Sequence, residues 1–279
     1  MDNKLAVIGL QIRQRRLNEP IKEHLEYIEC RIRAKPGYRL YVLPELSAIG
    51  YSDQTFSKIS QIAESIDGMI AVFFKKLATE LQIFICYGFM RLQTTEKNQE
   101  IFTICQAVVN NNGEMILAYD KMHLANFGDS SETAYGCTPG VELGVFNIDS
   151  FKVGVTICYD LRFPEVFRAL AWDHKCQAIL HCSAFSRDST FQTLAPFTTT
   201  RAVENGVYLM SVNYSGDYFG DSAVIPPWLG HVPGLDGSLE LKRASCGEES
   251  VEMLVEKNVI RAVREAYPYE KNLNVVLKK

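Results

Sequence analysis

Short apolar runs rich in Val and Ile recur along this chain, and they are joined in two different ways. Some pass into helical patterns. "LAVIGLQI" leads to an amphipathic stretch over residues 19–34 that stops at Pro36-Gly37, "RLYVLPE" follows, and a second helical pattern over residues 67–81 leads into "IFICYGFM". Others meet at tight turns. "FTICQAVVN" and "EMILAYDK" flank Asn111-Asn112-Gly113, whose Asn-Gly step suits the positive φ angles of a hairpin, and "ELGVFNI" and "FKVGVTIC" flank Asp149-Ser150. Crossovers through a helix make strands parallel, whereas hairpins make them antiparallel. A chain with both is expected to build mixed sheets with helices on their outer faces, an α/β fold.

The second half continues the scheme. A helix from Pro164 to about His174 precedes "QAILHCSAF", and a helical stretch ending at Gly206 precedes "VYLMSVNY". Pro196 inside that stretch marks either a kink or a late start. Strands are expected again at "SAVIPP" and "SVEMLVE", with a short helix over residues 257–266.

With 279 residues, 47% hydrophobic and 22% charged, the chain can bury a large core, and no linker or repeat divides it, so one domain over residues 1–279 is expected. The net charge of −4 comes from interspersed charges, which offers no basic stripe to nucleic acid. The apolar run at residues 5–10 is too short for a secretory signal, and no run reaches membrane-spanning length. The eight cysteines are scattered and none has C-x-x-C spacing, so reduced thiols in a cytoplasm are expected rather than disulfides, a zinc site or a thioredoxin-type centre.

Three apolar runs end in a chemically loaded residue: "YVLPE" in Glu45, "MILAYDK" in Lys121 and "VGVTIC" in Cys158. Singly, each has a plain reading as a loop charge or a buried thiol. Together they supply a nucleophile, a proton-transfer group and a cation for a developing oxyanion, the set that acyl transfer to a thiol requires. Ligand sites of α/β sheets gather beyond strand ends, so the three can converge although they are far apart in sequence.

"LPE" with Gly50-Tyr51, "YDKMHL", "GVTICYDLRFPE" and "RAVEN" resemble, in order, the motifs of the nitrilase superfamily of carbon–nitrogen hydrolases, from the first strand to about Asn213. The resemblance implies a four-layer α-β-β-α sandwich, a triad of Glu45, Lys121 and Cys158, and a second glutamate in the loop after the lysine, best matched by Glu132. It implies that the thiolate of Cys158 attacks an amide carbonyl, with the N–H of Tyr159 helping Lys121 to hold the oxyanion. It implies no cofactor and no metal. It also implies a homodimer or higher homo-oligomer, in which the region of Phe163, Phe167 and Trp172 packs either the core or a partner.

Tyr159-Asp160 after the cysteine is similar to the amidase branches, and "CYDLRFPE" resembles omega-amidases and deaminated-glutathione amidases, which implies a small carboxylated amide as substrate. The alternatives are an N-carbamoyl hydrolase and a binding protein that keeps the fold without catalysis. Arg162, four residues past the cysteine, has the planar fork that suits a substrate carboxylate, and equally that of an ion pair with Glu165 or Asp160. Asp160, Arg168, Arg201, Glu204 and Asn205 read as residues that orient helices around the site. A Cys–His pairing of Cys158 with His123 or His181 is a weaker reading, because the resemblance implies that Lys121 serves instead, and a metal site from His181 and Cys182 is weaker still, since adjacent strand residues point to opposite faces. The chain departs from the family pattern at Pro226-Pro227-Trp228, which bears on the substrate pocket, and at the missing tryptophan after "SAF", where Phe191 is nearby.

Overall fold

A computed structural model describes residues 3–126 and 131–269. Its first half runs through β1 (Lys4–Gln11), α1 (Ile21–Arg33), β2 (Leu40–Val42), the single turns α2 (Asp53–Phe56) and α3 (Ile59–Ile62), α4 (Met69–Leu81), β3 (Phe84–Thr94), β4 (Glu100–Val109) and β5 (Met115–Asp120). The second half supplies β6 (Gly144–Ile148), β7 (Phe151–Ile157), α5 (Pro164–Arg168), β8 (Ala178–Cys182), α6 (Leu194–Asn205), β9 (Tyr208–Val212) and β10 (Ala223–Ile225). The short strands β11 (Gly230–His231), β12 (Ser238–Leu239) and β13 (Lys242–Arg243) precede β14 (Glu249–Glu256) and α7 (Lys257–Ala266).

Two six-stranded sheets result, in the orders β14-β1-β2-β3-β4-β5 and β13-β10-β9-β8-β7-β6. Both are mixed, for the expected reason. The crossovers through α1 and α4 leave β1, β2 and β3 parallel, while the β3-β4 and β4-β5 connections make antiparallel pairs. In the second sheet β6 and β7 form a hairpin, and crossovers through α5 and α6 leave β7, β8 and β9 parallel.

The inner faces of the sheets pack on each other. At Gly9 of β1, a Cβ would lie 2.6 Å from Val212 and 3.0 Å from Met210 of the opposing sheet, so only glycine permits this approach. Period-2 burial along β14, with Val251, Met253 and Val255 inward, seals the same layer. Outside the first sheet, α4 buries Ile70, Phe74 and Leu77 at helical spacing, and Phe74 stacks on Tyr87 of β3 with ring centroids 4.0 Å apart. Outside the second, Phe167, Leu170, Leu194 and Ala202 pack with Ile179, Leu209 and Ile225. The layers are therefore α-β-β-α, and among the described residues no helix is long and apolar enough to cross a membrane.

Two local details differ from the simplest expectation. The β4-β5 turn uses the positive φ of Gly113 (78°), and the side-chain oxygen of Asn110 accepts the amide hydrogens of Asn112 and Glu114, each at 2.9 Å, which closes the loop from within. Pro196 does not kink α6. The helix begins at Leu194, so proline stands in its first turn, where no backbone donor is needed.

Candidate active site

Glu45 follows the end of β2, where the chain turns at Leu46 (φ 49°) across the face of β3. The crossing is possible because residue 88 is glycine: a Cβ there would lie 2.3 Å from the Leu46 nitrogen and 3.0 Å from the Glu45 carbonyl carbon. The hydroxyl of Tyr214 donates to the Glu45 carbonyl oxygen at 2.7 Å, which pins the backbone from the other sheet. The Glu45 carboxylate is fully buried. One oxygen accepts from Lys121 Nζ at 2.7 Å, and the other accepts from the backbone N–H of Ala184 at 3.0 Å.

Lys121 leaves the end of β5, its backbone tied to Ile104 and Gly140. Its buried ammonium also donates to Glu132 Oε1 at 2.7 Å. That oxygen accepts the Tyr51 hydroxyl at 2.8 Å, while Glu132 Oε2 accepts the N–H of Ala125 at 2.8 Å. The two glutamates thus flank one lysine, all three buried, with hydroxyl and amide donors satisfying the outer oxygens.

Cys158 stands at the end of β7, in a left-handed conformation (φ 41°) that an L-residue adopts only when its surroundings impose it. Two groups impose it here. The buried carboxylate of Asp160 accepts from Ile157 N at 2.9 Å, Tyr119 Oη at 2.7 Å, His123 N at 3.0 Å and His123 Nδ1 at 2.8 Å. His181 Nε2 lies 3.0 Å from the Cys158 carbonyl oxygen, and since a carbonyl only accepts, that nitrogen carries the proton. Burial pushes the pKa of His181 down to about 4, so the ring is neutral and its Nδ1 accepts from Ser211 Oγ at 2.9 Å.

Those contacts decide several readings. His181 holds the backbone of Cys158, and His123 is bound to Asp160 and stacked on Phe163 with centroids 3.5 Å apart; neither ring forms the thiol–imidazole pair of a Cys–His hydrolase. His181 and Cys182 diverge, the former toward Ser211 and the latter toward Cys86. Phe167 and Trp172 belong to the core, Trp172 donating to Asn205 at 3.1 Å, and Arg201 donates to the Leu161 carbonyl at 3.1 Å, tying α6 to the turn after Cys158.

The electrostatics follow from burial around one cation. Burial pushes Glu45 up to about 7 against the pull of Lys121. Burial also works against the Lys121 ammonium, but Glu132 and Glu45 outweigh it and hold its pKa well above the ordinary lysine value. The Cys158 thiol is driven well above its usual range by burial and by Glu45, with Lys121 and the Ala184 N–H opposing. At neutral pH the group therefore holds a neutral thiol beside a carboxyl poised to exchange a proton.

A narrow cavity of about 30 Å³ opens at Cys158, lined by Tyr51, Tyr159, Arg162, Phe185, Asp188 and Thr190 among others. The guanidinium of Arg162 lies over the rings of Tyr159, Phe185 and Phe197 at 5.5–5.8 Å. Phe191 packs edge-on against Phe185. Trp228, expected to bear on this pocket, instead stacks on Tyr267 at 3.8 Å, in a separate groove with Arg168, Val203 and Leu229.

The carbon-nitrogen hydrolase family model matches residues 4–241. The chain belongs to the carbon–nitrogen hydrolase family. It is 30% identical over 243 residues to a deaminated glutathione amidase of Dictyostelium discoideum, covering 81% of this chain and 82% of that one. It is 28% identical over 256 residues to omega-amidase NIT3 of Saccharomyces cerevisiae, covering 88% and 84%. The solved structure of Saccharomyces cerevisiae Nit3, a member of branch 10 of the nitrilase superfamily, superposes with a TM-score of 0.77 at 25% identity, covering 95% of this chain and 94% of that one. This carbon–nitrogen hydrolase thus cleaves a carbon–nitrogen bond of a small molecule.

Sequence reasoning did not single out the Ala184 N–H or Asn213, which anchors the next residue, Phe185. The buried Asn213 carboxamide accepts from Phe185 N at 3.0 Å and donates to the Phe185 and Gly220 carbonyls at 2.9 and 2.8 Å. The signal was a polar residue directly after the apolar run "VYLMSV".

Proposed function

We propose that this hydrolase cleaves the amide of a small carboxylated molecule through a thioester on Cys158, with Glu45 carrying the proton and Lys121 and the Tyr159 N–H holding the oxyanion. The observation that carries the reading is the buried Glu45–Lys121–Glu132 chain, with both Lys121 bonds at 2.7 Å, set beside a thiol at a forced turn. Glu45 takes the Cys158 proton as sulfur attacks the carbonyl carbon, and the negative oxygen of the tetrahedral adduct lies toward the Lys121 ammonium. The adduct collapses as Glu45 returns the proton to the leaving nitrogen, so ammonia departs and a thioester remains. Water, deprotonated by Glu45, then releases the carboxylic acid and the thiol. A carboxyl near pKa 7 suits a residue that is base and acid in turn.

Relatives that are a deaminated glutathione amidase and an omega-amidase support an amide substrate, and Arg162 in the cavity wall supports a carboxylate on its far end. Eight free thiols support a reducing compartment such as the cytoplasm. The groove formed by Arg168, Val203, Trp228 and Leu229 supports a homodimer or larger homo-oligomer through this face, which sedimentation tests.

The test is ammonia release across short ω-amides, carbamoyl amino acids and nitriles by wild type and Cys158→Ala, with quenched samples weighed for acyl mass on the Cys158 peptide. Release from amides that disappears in Cys158→Ala is expected. Release that persists in that variant overturns the mechanism.

A further inference from the structure

Two opposite charges line the cavity at Cys158: Arg162 on the turn after the cysteine, and Asp188 on the loop after β8. Asp188 is exposed, yet its carboxylate is held in place. One oxygen accepts both the N–H and the hydroxyl of Thr190 at 2.7 Å, whereas the other has, among the described residues, a single long contact of 3.5 Å with the Ser186 hydroxyl. The first pair of bonds fixes the plane of the carboxylate, and the second oxygen keeps acceptor capacity at the cavity mouth.

The hydrolytic scheme makes no use of Asp188. If the substrate were a plain carboxylate, a fixed negative charge beside Arg162 would repel the end that Arg162 attracts. The charge becomes useful when the substrate carries a cation next to its carboxylate. We infer that the preferred substrate is an ω-amide that retains an α-ammonium group, with Arg162 taking the carboxylate and Asp188 the ammonium. This inference rests on the reading of Cys158 as nucleophile, and it differs from what the name of the deaminated glutathione amidase says of that relative.

The competing role for Asp188 is to cap the turn at Thr190 and nothing more. Asp188→Asn separates the two, because an asparagine oxygen still accepts from Thr190 while the charge is gone. L-glutamine and glutaric acid monoamide differ only in the α-ammonium, as do L-asparagine and succinic acid monoamide. In at least one pair, wild type is expected to give the higher kcat/KM with the amino compound. Asp188→Asn is expected to lower the amino-to-monoamide ratio by roughly 10- to 100-fold, the size of one charge-assisted hydrogen bond. Preference for the monoamide in both pairs, equal losses on the two members, or no Cys158-dependent hydrolysis of any of the four overturns the inference. Cys158-dependent hydrolysis of the monoamides alone does so while leaving the thioester reading intact. Hydrolysis that survives Cys158→Ala instead overturns that reading itself.

Discussion

The carboxylate of Asp160 reaches back over the turn to accept the amide hydrogen of Ile157 at 2.9 Å, so the first of the two residues between them, Cys158, is bent into its left-handed conformation. The same carboxylate takes three further bonds from Tyr119 and His123, the neighbours of Lys121 in sequence. Asp160 therefore locks the turn of the thiol to the strand end of the cation. Asp160→Asn keeps the shape but turns an NH₂ toward buried donors, each orphaned group costing about 1–3 kcal/mol. Lower stability in urea is expected, together with a fall in kcat larger than any change in KM. Wild-type turnover in this variant would separate the turn from the reaction.

The pH dependence follows from Glu45. In the proposed mechanism only its carboxylate accepts the thiol proton, so kcat/KM is expected to fall as pH drops below about 7 and to level off above it. The effect on stability has the opposite sense. The folded-state pKa is raised above the ordinary carboxylate value of 4.5, so between about 4.5 and 7 the native chain holds a proton that the unfolded chain has lost. Glu45 thus favours folding at low pH, and this contribution disappears as pH rises through about 7. Urea unfolding of wild type and Glu45→Gln at pH 5 and pH 8 measures it, and the wild type is expected to lose more stability than the variant over that interval.

Lys121→Met removes the cation between two buried carboxylates. Loss of one oxyanion donor typically costs ~2.7–4 kcal/mol, so turnover is expected to fall about 100- to 1000-fold. Glu45 and Glu132 then face each other without compensation, and the acid limb of any residual activity should move to higher pH. Breaking a buried ion pair costs roughly 3–5 kcal/mol, so the folded fraction is measured first. Residual activity with an unmoved acid limb would place Lys121 outside the proton-transfer group.

That the sheets are mixed and carry helices outside them could be read from the sequence because hairpin and crossover connections leave different marks, Asn-Gly or Asp-Ser steps in one case and helical periodicity in the other, whereas the four-layer stacking was implied by the motif resemblance. That Glu45, Lys121 and Glu132 touch could be anticipated only through the motif resemblance, since nothing in their spacing brings residues 76 positions apart within 2.7 Å. The donors that complete the site were hidden for a physical reason. Ala184 acts through its backbone N–H and Tyr214 acts on a backbone carbonyl, and neither contact leaves a pattern in side-chain type. Trp228 misled for a related reason: an aromatic after two prolines marks a rigid corner, but its stacking partner, Tyr267, lies far along the chain.

Gly88 offers the sharpest test of how Glu45 is placed. Its backbone N–H donates to Ser47 Oγ at 2.9 Å and its carbonyl accepts from Ala48 N at 3.0 Å, so β3 carries the segment that bears Glu45. A methyl group at position 88 would meet the Leu46 nitrogen at 2.3 Å and the Glu45 carbonyl carbon at 3.0 Å, and backbone atoms cannot swing aside as a side chain would. Gly88→Ala must therefore lift residues 45–48 from β3, drawing the Glu45 carboxylate away from both Lys121 and the Ala184 N–H. Overpacking of this kind costs about 1–3 kcal/mol of stability. Displacing a proton carrier by about 1 Å can cost about 100-fold in rate. Gly88→Ala is thus expected to remain largely folded at low temperature in urea titrations and yet lose about two orders of magnitude in kcat on the folded fraction. A variant that loses only stability would mean that the Glu45 segment can yield without moving its carboxylate, and that Tyr214 rather than β3 sets the position of the base.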